Sequence, residues 1–492
     1  MNTRFYRSAR TLACRVETHL DAWFCFGRGS AAFCASVFVI MGLPLCSQTV
    51  ASQIAAHAQA AQRAERQNNF SEAVRQFQYV TNKLPRNAEM QSNLGVALYF
   101  DHQLTQAIAA FHKAIALNPD LLAPHLFSGL ALYRLSNPNA AVPELQRAVR
   151  VKPGDVLARK WLGYAYAAQF RYEPALKQFQ AASKLDPKNI DVWYALGQTF
   201  LQIGKHATRQ LLTMAPDGGR AWELAGEQEK LQGHRKAALK DFEEALKRRP
   251  DLPALRKAVT ELGGPLPVAS RTEPRPAGSG RADALYRQAH EAEQKARAAF
   301  GRVGKIAPNS YRAHEIMGDS LTAQGLPEKA IQEYRTVLRL KPDLPGIHEA
   351  IGNALLGTGK TAEALREFRA ELKIQPRSAS VRASIGKALL LLGQDQEAGK
   401  MLASALKMNR PPPETYRLLG KLALRRKQYR SAVDALNRYL SAAKGDSRGY
   451  YLLAGAYRGL GDKEQMRHAL ALYEKTSRDA KARSRAQQEL EK

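Results

Sequence analysis

Three interleaved series of small residues and prolines, each repeating every 34 residues, constrain the fold of this chain more than any other feature. The series consist of Gly95, Gly129, Gly163 and Gly197; of Ala73, Ala107, Ala141 and Ala175; and of Pro85, Pro119, Pro153 and Pro187. The same period returns with Gly318, Gly352, Gly386 and Gly420, and with Ala330, Ala364, Ala398 and Ala432. A fixed period of this length indicates stacked structural repeats.

Each period predicts a pair of helices. In DVWYALGQTF (191–200) the glycine lies inside a helical pattern, where it costs about 1 kcal/mol relative to alanine. We therefore expect the glycine of the first helix to face the alanine of the second, so that the two backbones approach closely. An aromatic ring fills the layer beside that contact, at Phe77, Phe111, Phe179, Phe242, Tyr334 and Phe368. Proline ends the second helix because it cannot continue the hydrogen-bond ladder, and the next pair covers the remaining apolar face.

The period and the order W/Y…LG…Y, then A…F…A…P, resemble the tetratricopeptide repeat. The best copies are residues 93–119 and 161–187, and the resemblance extends from residue 54 to about 475. Ten near-regular copies start at residues 54, 88, 122, 156, 219, 311, 345, 379, 413 and 447. The resemblance implies an all-α fold, a right-handed α-solenoid of stacked helix-turn-helix repeats.

Two copies depart from the pattern. Residues 190–218 and 283–310 resemble each other at an offset of 92, which also places Gly226 on Gly318. We interpret this offset as a segmental duplication of a larger unit. Residues 263–281 are rich in Pro, Gly and Ser, a composition typical of a linker. The predicted organisation is an N-terminal array (54–262), this linker, a C-terminal array (282–476) and a charged tail (477–492).

The first 47 residues resemble a secretion signal. All four cysteines lie there, which excludes a disulfide framework from the rest of the chain. An arginine-containing segment precedes the apolar stretch AAFCASVFVIMGL (31–43), and Ser47 is a small residue before Gln48. We expect export to the periplasmic or extracellular side of a bacterial cell envelope. An uncleaved membrane anchor at residues 31–45 and a lipidated Cys46 remain alternatives; no other contact with a membrane is expected.

The short motifs that suggest chemistry lack their structural context. GTGKT (357–361) has Ala354 where a phosphate-binding loop needs glycine, and it falls between two predicted helices rather than after a strand. The pairs His290-Glu291, His314-Glu315 and His348-Glu349 lack the second histidine of a zinc peptidase. We predict that the chain is not an enzyme, and we expect no catalytic residue, cofactor or metal site.

The remaining functional feature that the repeat pattern predicts is a binding surface. By the resemblance, first helices line a concave groove that accepts peptides. The groove candidates are Leu126, Leu130, Tyr133, Lys160, Tyr164, Tyr194 and Gln198. Several of these residues can instead pack against neighbouring helices. In the last three copies the same columns are basic, at Lys387, Arg417, Lys421, Arg425, Arg448 and Arg458.

Two functions follow from these surfaces. The first is a protein-interaction scaffold of the cell envelope that binds a protein or peptide and no nucleic acid. The alternative starts from the net charge of +29: a basic solenoid that binds a polyanion, RNA or acidic glycan, through its C-terminal half. Binding that collapses with salt indicates the second function, because neutralising a polyanion releases counterions.

Overall fold

The computed structural model describes residues 45–215, 217–266, 279–408, 411–443 and 445–488, and every regular element in these ranges is an α-helix. The described chain forms two compact units. The first extends to Leu196 and includes the short segment Arg339–Asp343; the second comprises Gly197–Leu338 and the chain from Leu344 onward. The expected all-α repeat fold is confirmed.

The first unit stacks four antiparallel helix pairs, in which each helix contacts the next. The helices are α1 (Leu45–Arg66), α2 (Phe70–Lys83), α3 (Ala88–Phe100), α4 (Leu104–Leu117), α5 (Leu122–Arg134), α6 (Pro138–Val151), α7 (Val156–Ala168) and α8 (Tyr172–Leu185). Each second helix is followed by its C-cap residue and then by a proline, at Pro85, Pro119, Pro153 and Pro187. The predicted role of these prolines is confirmed.

The second unit begins inside a long helix and contains the remaining helices. They are α9 (Ile190–Met214), α10 (Gly219–Gln232), α11 (Arg235–Arg248), α12 (Pro253–Glu261), α13 (Ser279–Ile306), α14 (Tyr311–Ala323), α15 (Pro327–Leu340), α16 (Ile347–Gly357), α17 (Thr361–Ile374), α18 (Ala379–Leu391), α19 (Asp395–Leu406), α20 (Pro413–Arg425), α21 (Tyr429–Ala442), α22 (Ser447–Leu460) and α23 (Lys463–Gln488). One of its cores runs from Ala330 to Leu422 across consecutive repeats.

Each glycine of the 34-residue series packs most closely against a ring or a leucine, where the sequence predicted alanine as the facing residue. A Cβ placed on Gly163 would fall 2.5 Å from Cε1 of Phe179, and one placed on Gly129 would fall 2.5 Å from Cγ of Leu145. The alanine series is fully buried as well, with Ala175 at 0% exposure. The ring is long enough to cross the gap between the helices, so it occupies the space that a side chain on the glycine would fill.

The turn inside each regular repeat places one residue in the left-handed backbone region. In the earlier repeats this residue is not glycine, and it recurs every 34 residues at Asn68, His102, Ser136 and Phe170. The later repeats keep the same period, at Gly325, Gly359, Gly393, Lys427 and Gly461. A reversal of chain direction over so few residues requires this conformation, which glycine adopts without steric cost.

Several expectations meet the limits of the described residues. Residues 1–44 of the predicted signal segment (1–47) lie outside them, whereas residues 45–47 begin helix α1. Most of the linker, at 267–278, also lies outside them. The observed units also differ from the two predicted arrays, since Gly197–Glu261 belongs with the C-terminal helices. Within the described ranges, no helix combines the length and the apolar character needed to cross a bilayer.

Candidate functional site

The first helices of neighbouring repeats form a continuous surface in the first unit. Helix α3 contacts α5, and α5 contacts α7, in addition to the contacts that each makes with its own second helix. Helices in direct contact lie about 8–10 Å apart. Side chains on their shared face are therefore close enough to bind one ligand together.

Three aromatic side chains on α5 and α7 form a connected row on this face. The Trp161 ring meets the Tyr133 ring edge-on at 5.4 Å between centroids and the Tyr164 ring at 5.5 Å. Tyr164 in turn meets the core ring of Phe179 at 5.2 Å. All three residues of the row are half-buried, and burial raises the pKa of Tyr133. The row is thus anchored in the core and still reaches solvent.

Trp161 is absent from the sequence-predicted candidates. It lies one residue after Lys160, which is among them. The signal that could have identified it is a tryptophan in an otherwise small and aromatic stretch, WLGYAYAA (161–168). Aromatic residues with one exposed edge are common at interaction surfaces.

The other candidates on α5 and α7 are buried. Leu126 and Leu130 are 3% and 5% exposed, so they pack in the core. Lys160 is 9% exposed, and its Nζ lies 3.7 Å from the Asp191 carboxylate. For these three residues the packing alternative describes the structure.

The last two groove candidates belong to α9. Tyr194 is half-buried in the first unit, and Gln198 lies in the second unit. There the Gln198 amide lies 3.4 Å from Oδ2 of Asp319 on α14. Burial raises the pKa of Asp319, while a hydrogen bond from the Tyr334 hydroxyl at 2.8 Å opposes that rise.

A second aromatic group continues the face toward α3. Phe127 meets Tyr99 at 5.3 Å and Phe100 at 6.0 Å, both edge-on, and stacks on Phe111 at 6.3 Å. The Arg134 guanidinium lies over the Tyr99 ring at 4.5 Å. Burial raises the pKa of Tyr99 to about 12, so its hydroxyl is neutral at physiological pH. Phe100 and Phe127 are half-buried, which extends the aromatic face across three repeats.

The basic candidates of the second unit divide into two groups. Arg417 pairs with Glu414 on its own helix, Arg425 lies 2.8 Å from Asp395, and Arg448 lies 3.1 Å from Asp446. Lys387, Lys421 and Arg458 have no anionic partner among the described residues. Half of the predicted basic face is therefore already neutralised by neighbouring carboxylates.

Two of the three histidines that suggested zinc chemistry, His314 and His348, join the helices of their own repeats. Nδ1 of His314 lies 2.6 Å from Glu333, and Nδ1 of His348 lies 2.6 Å from Glu367. His125 makes the same contact with Glu144 at 2.8 Å. Each pair joins the first helix of a repeat to its second helix, and the adjacent glutamate of the sequence motif takes no part.

Comparison with known families agrees with this architecture. A family model described as "Tetratricopeptide repeat" matches residues 59–121, 128–190 and 349–413, and one described as "TPR repeat" matches residues 318–359. These matches fall on the regular helix pairs of both units.

Curated relatives match over short stretches. Tetratricopeptide repeat protein 6 of Homo sapiens is 25% identical over 152 residues, which cover 30% of this chain and 29% of that protein. Superkiller protein 3 of Schizosaccharomyces pombe (strain 972 / ATCC 24843) is 41% identical over 70 residues, which cover 14% of this chain and 5% of that protein. The chain thus spans less than a third of the length of either relative.

Three solved structures are similar to this chain at low sequence identity. The APC/C hetero-tetramer Cut9-Hcn1 is 14% identical and covers 88% of this chain and 96% of its own, with a TM-score of 0.35. TTC0263, a thermophilic TPR protein in Thermus thermophilus, is 18% identical and covers 55% and 100%, with a TM-score of 0.33. YrrB, described as a TPR protein with an unusual peptide-binding site, is 17% identical and covers 37% and 93%, with a TM-score of 0.31.

The identification rests on the chain itself: the 34-residue period, the buried glycine–ring contacts and the two family models that match its helix pairs. This chain is a tetratricopeptide repeat protein.

Proposed function

We propose that the chain is a non-enzymatic protein-interaction scaffold, and that its first unit binds a peptide segment of a partner protein along α3, α5 and α7. The observation that carries this proposal is the row Tyr133–Trp161–Tyr164, whose rings are held edge-to-face against the core and remain partly exposed. Large aromatic side chains that are fixed before binding lose little conformational entropy on contact with a partner.

The chemistry of this face favours an apolar or aromatic segment over an anion. Lys160, the one lysine among the groove candidates, is buried and paired with Asp191. Arg134 is positioned over Tyr99. The exposed edges of the aromatic rows therefore provide the contact area, and truncating a ring at the centre of such an interface typically costs about 2 kcal/mol or more.

The test uses peptides selected from a displayed random library on the chain that spans residues 48–492. We compare the wild type with a Tyr133→Ala/Trp161→Ala/Tyr164→Ala variant and with a Tyr172→Ala control, which removes a half-buried ring from second helix α8. We expect the triple variant to lose binding of the selected peptides, the control to keep it, and all three proteins to keep their helical circular dichroism.

A charge-reversed variant distinguishes peptide binding from the alternative function, polyanion binding. Lys387→Glu/Lys421→Glu changes two of the basic residues that lack an anionic partner in the described chain. Binding that survives the aromatic substitutions, disappears in this variant and falls steeply with salt would replace the peptide proposal with polyanion binding.

We also propose that the scaffold is exported. The proposal rests on the arginine-containing segment and the short apolar stretch of residues 31–43. Cell fractionation and N-terminal sequencing should find a mature chain that begins near Gln48 outside the cytoplasm. A chain that keeps residues 31–45 and sediments with membranes would indicate the anchor, and a full-length cytoplasmic chain would contradict export.

A further inference from the structure

Two helices between the regular repeats, α9 and α13, are much longer than the helices of a regular repeat. Regular first helices such as α7 have 13 residues and second helices such as α8 have 14. Helix α9 has 25 residues and α13 has 28. These are the helices of the two irregular copies that the sequence suggested to be duplicates of one another.

The two long helices pack against each other as the first and second helix of a single repeat. A Cβ on Gly197 would overlap the ring of Phe300, as one on Gly163 would overlap the ring of Phe179. Ala296 and Val303 are fully buried, and Pro308 follows the helix. The end of α13 therefore carries the alanine, ring and proline of a second helix, in their usual spacing.

The numbering gives the size of the interruption. Phe179 follows Gly163 by 16 residues, whereas Phe300 follows Gly197 by 103. Gly318 follows Gly197 by 121 residues, which is one period of 34 plus 87. Both intervals exceed the regular ones by the same 87 residues.

The position of the missing turn is also visible. Gly204 follows Phe170 by 34 residues, at the place where every regular repeat reverses direction. In α9 the chain continues as a helix through Gly204, which packs near Ala289 and Ala292 of α13. Small residues on both helices allow this close approach beyond the end of the regular repeat.

We propose that residues 206–292 are an inserted module that splits one tetratricopeptide repeat between its two helices. Without these residues, Lys205 would join Glu293, and the chain would read GK-EQKARAAF, with the glycine, alanine and ring spaced as in GKTAEALREF (359–368). The interrupted repeat thus keeps a turn glycine that its present helix does not use.

The module has the internal contacts expected of a separate folding element. Its core contains Ala238, Phe242, Ala245, Leu246, Leu255 and Val259. A buried ionic network joins its helices to α13: Asp283 accepts a hydrogen bond from Arg220 at 2.6 Å and from Arg249 at 2.9 Å. The extended ends of α9 and α13 belong to the module and connect its core to the split repeat.

Two deletions in the full chain distinguish the insertion from the duplication. Removing residues 206–292 restores a regular repeat only if the repeat is split. Removing residues 219–310, one offset of 92, restores a regular order only if 190–218 and 283–310 are independent copies. We expect the variant without residues 206–292 to be monomeric, helical and cooperative in thermal unfolding. We expect the variant without residues 219–310 to lose cooperativity, because this deletion removes Phe300 and leaves Gly197 without its ring.

A double-mutant cycle in the intact chain tests the same contact if a deletion variant fails to fold. Gly197→Ala should lower the melting temperature by several degrees, and adding Phe300→Ala should relieve part of that loss, so the two shifts are not additive. The reverse result for the deletions, or additive shifts in the cycle, would overturn the split repeat.

Discussion

The Phe179 ring fills the space beside Gly163: a Cβ on Gly163 would fall 2.5 Å from Cε1 of the ring and 2.7 Å from Cζ. The ring is 0% exposed. A methyl group on Gly163 therefore forces the helices apart or the ring out of its rotamer. We expect Gly163→Ala to destabilise the chain by about 1–3 kcal/mol, although alanine is the better helix former. Urea unfolding measures the change.

Gly455 provides the matched control for this prediction. It lies inside α22, and a Cβ there would meet nothing within 4 Å. Gly455→Ala should stabilise the helix by about 0.5–1 kcal/mol, the usual difference in helix propensity. Equal effects of the two substitutions would mean that the ring contact does not select glycine.

Phe170 has a backbone conformation that suits glycine. Its φ is 61°, and its side chain is 70% exposed. A bulky residue in the left-handed region costs roughly 1–2 kcal/mol. Phe170→Gly should therefore raise the free energy of unfolding by about 1 kcal/mol, and Gly359→Phe, at the equivalent turn of another repeat, should lower it by a similar amount. Opposite signs in chemical denaturation are the expected result; a loss in both variants would show that the Phe170 side chain stabilises its turn.

Glu371, on α17, binds the start of the helix with which α17 pairs. Its carboxylate is fully buried and accepts hydrogen bonds from the backbone N–H of Gly346 at 2.8 Å and from the Gln375 amide at 2.7 Å. Glu371→Ala leaves these donors unpaired, at a cost of about 1–3 kcal/mol. Lys373→Ala, an exposed change on the same helix, should have little effect. Hydrogen exchange should show the loss first in the opening turn of α16.

His290 links stability to pH within the inserted module. Its Nε2 lies 2.9 Å from the Glu227 carboxylate, and this hydrogen bond raises the pKa of the imidazole. A raised folded-state pKa means that protonation favours the folded form. The contribution is complete below the ordinary histidine pKa of about 6.5 and is lost as the pH rises through the higher folded-state value.

The variant His290→Gln isolates this contribution. The difference in unfolding free energy between wild type and variant should be larger at about pH 5.5 than at about pH 8. Denaturant titrations at both values measure it. A difference that is constant or grows with pH would contradict the assigned ion pair.

The regular repeats were predictable because one physical rule sets each column. The glycine, alanine and proline series that include Gly163, Ala175 and Pro187 keep a 34-residue period, because a shift of a single residue would break a buried contact or a helix end. The partner of Gly163 was predicted wrongly, because spacing along the sequence cannot show whether a ring or an alanine fills the gap. That choice depends on the rotamer of Phe179 in three dimensions.

The binding face was harder to predict for a related reason. Leu126 and Tyr133 both lie on α5, but only Tyr133 keeps an exposed edge. The depth of each side chain depends on how closely α5 approaches α7, which the helical period does not contain. Trp161 was missed because its position at the edge of the core depends on contacts with Tyr133 and Tyr164, which the sequence alone does not show.

The main contacts of the first unit are between adjacent and next-but-one helices, from α1 through α8. Such a stack has no single core that must break at once. Under mechanical tension it should yield in steps, one helix pair at a time, and rewind when the load falls. A scaffold built in this way would accommodate movement of its bound partners by stretching. A globular domain of the same length would instead resist the load until it unfolds cooperatively.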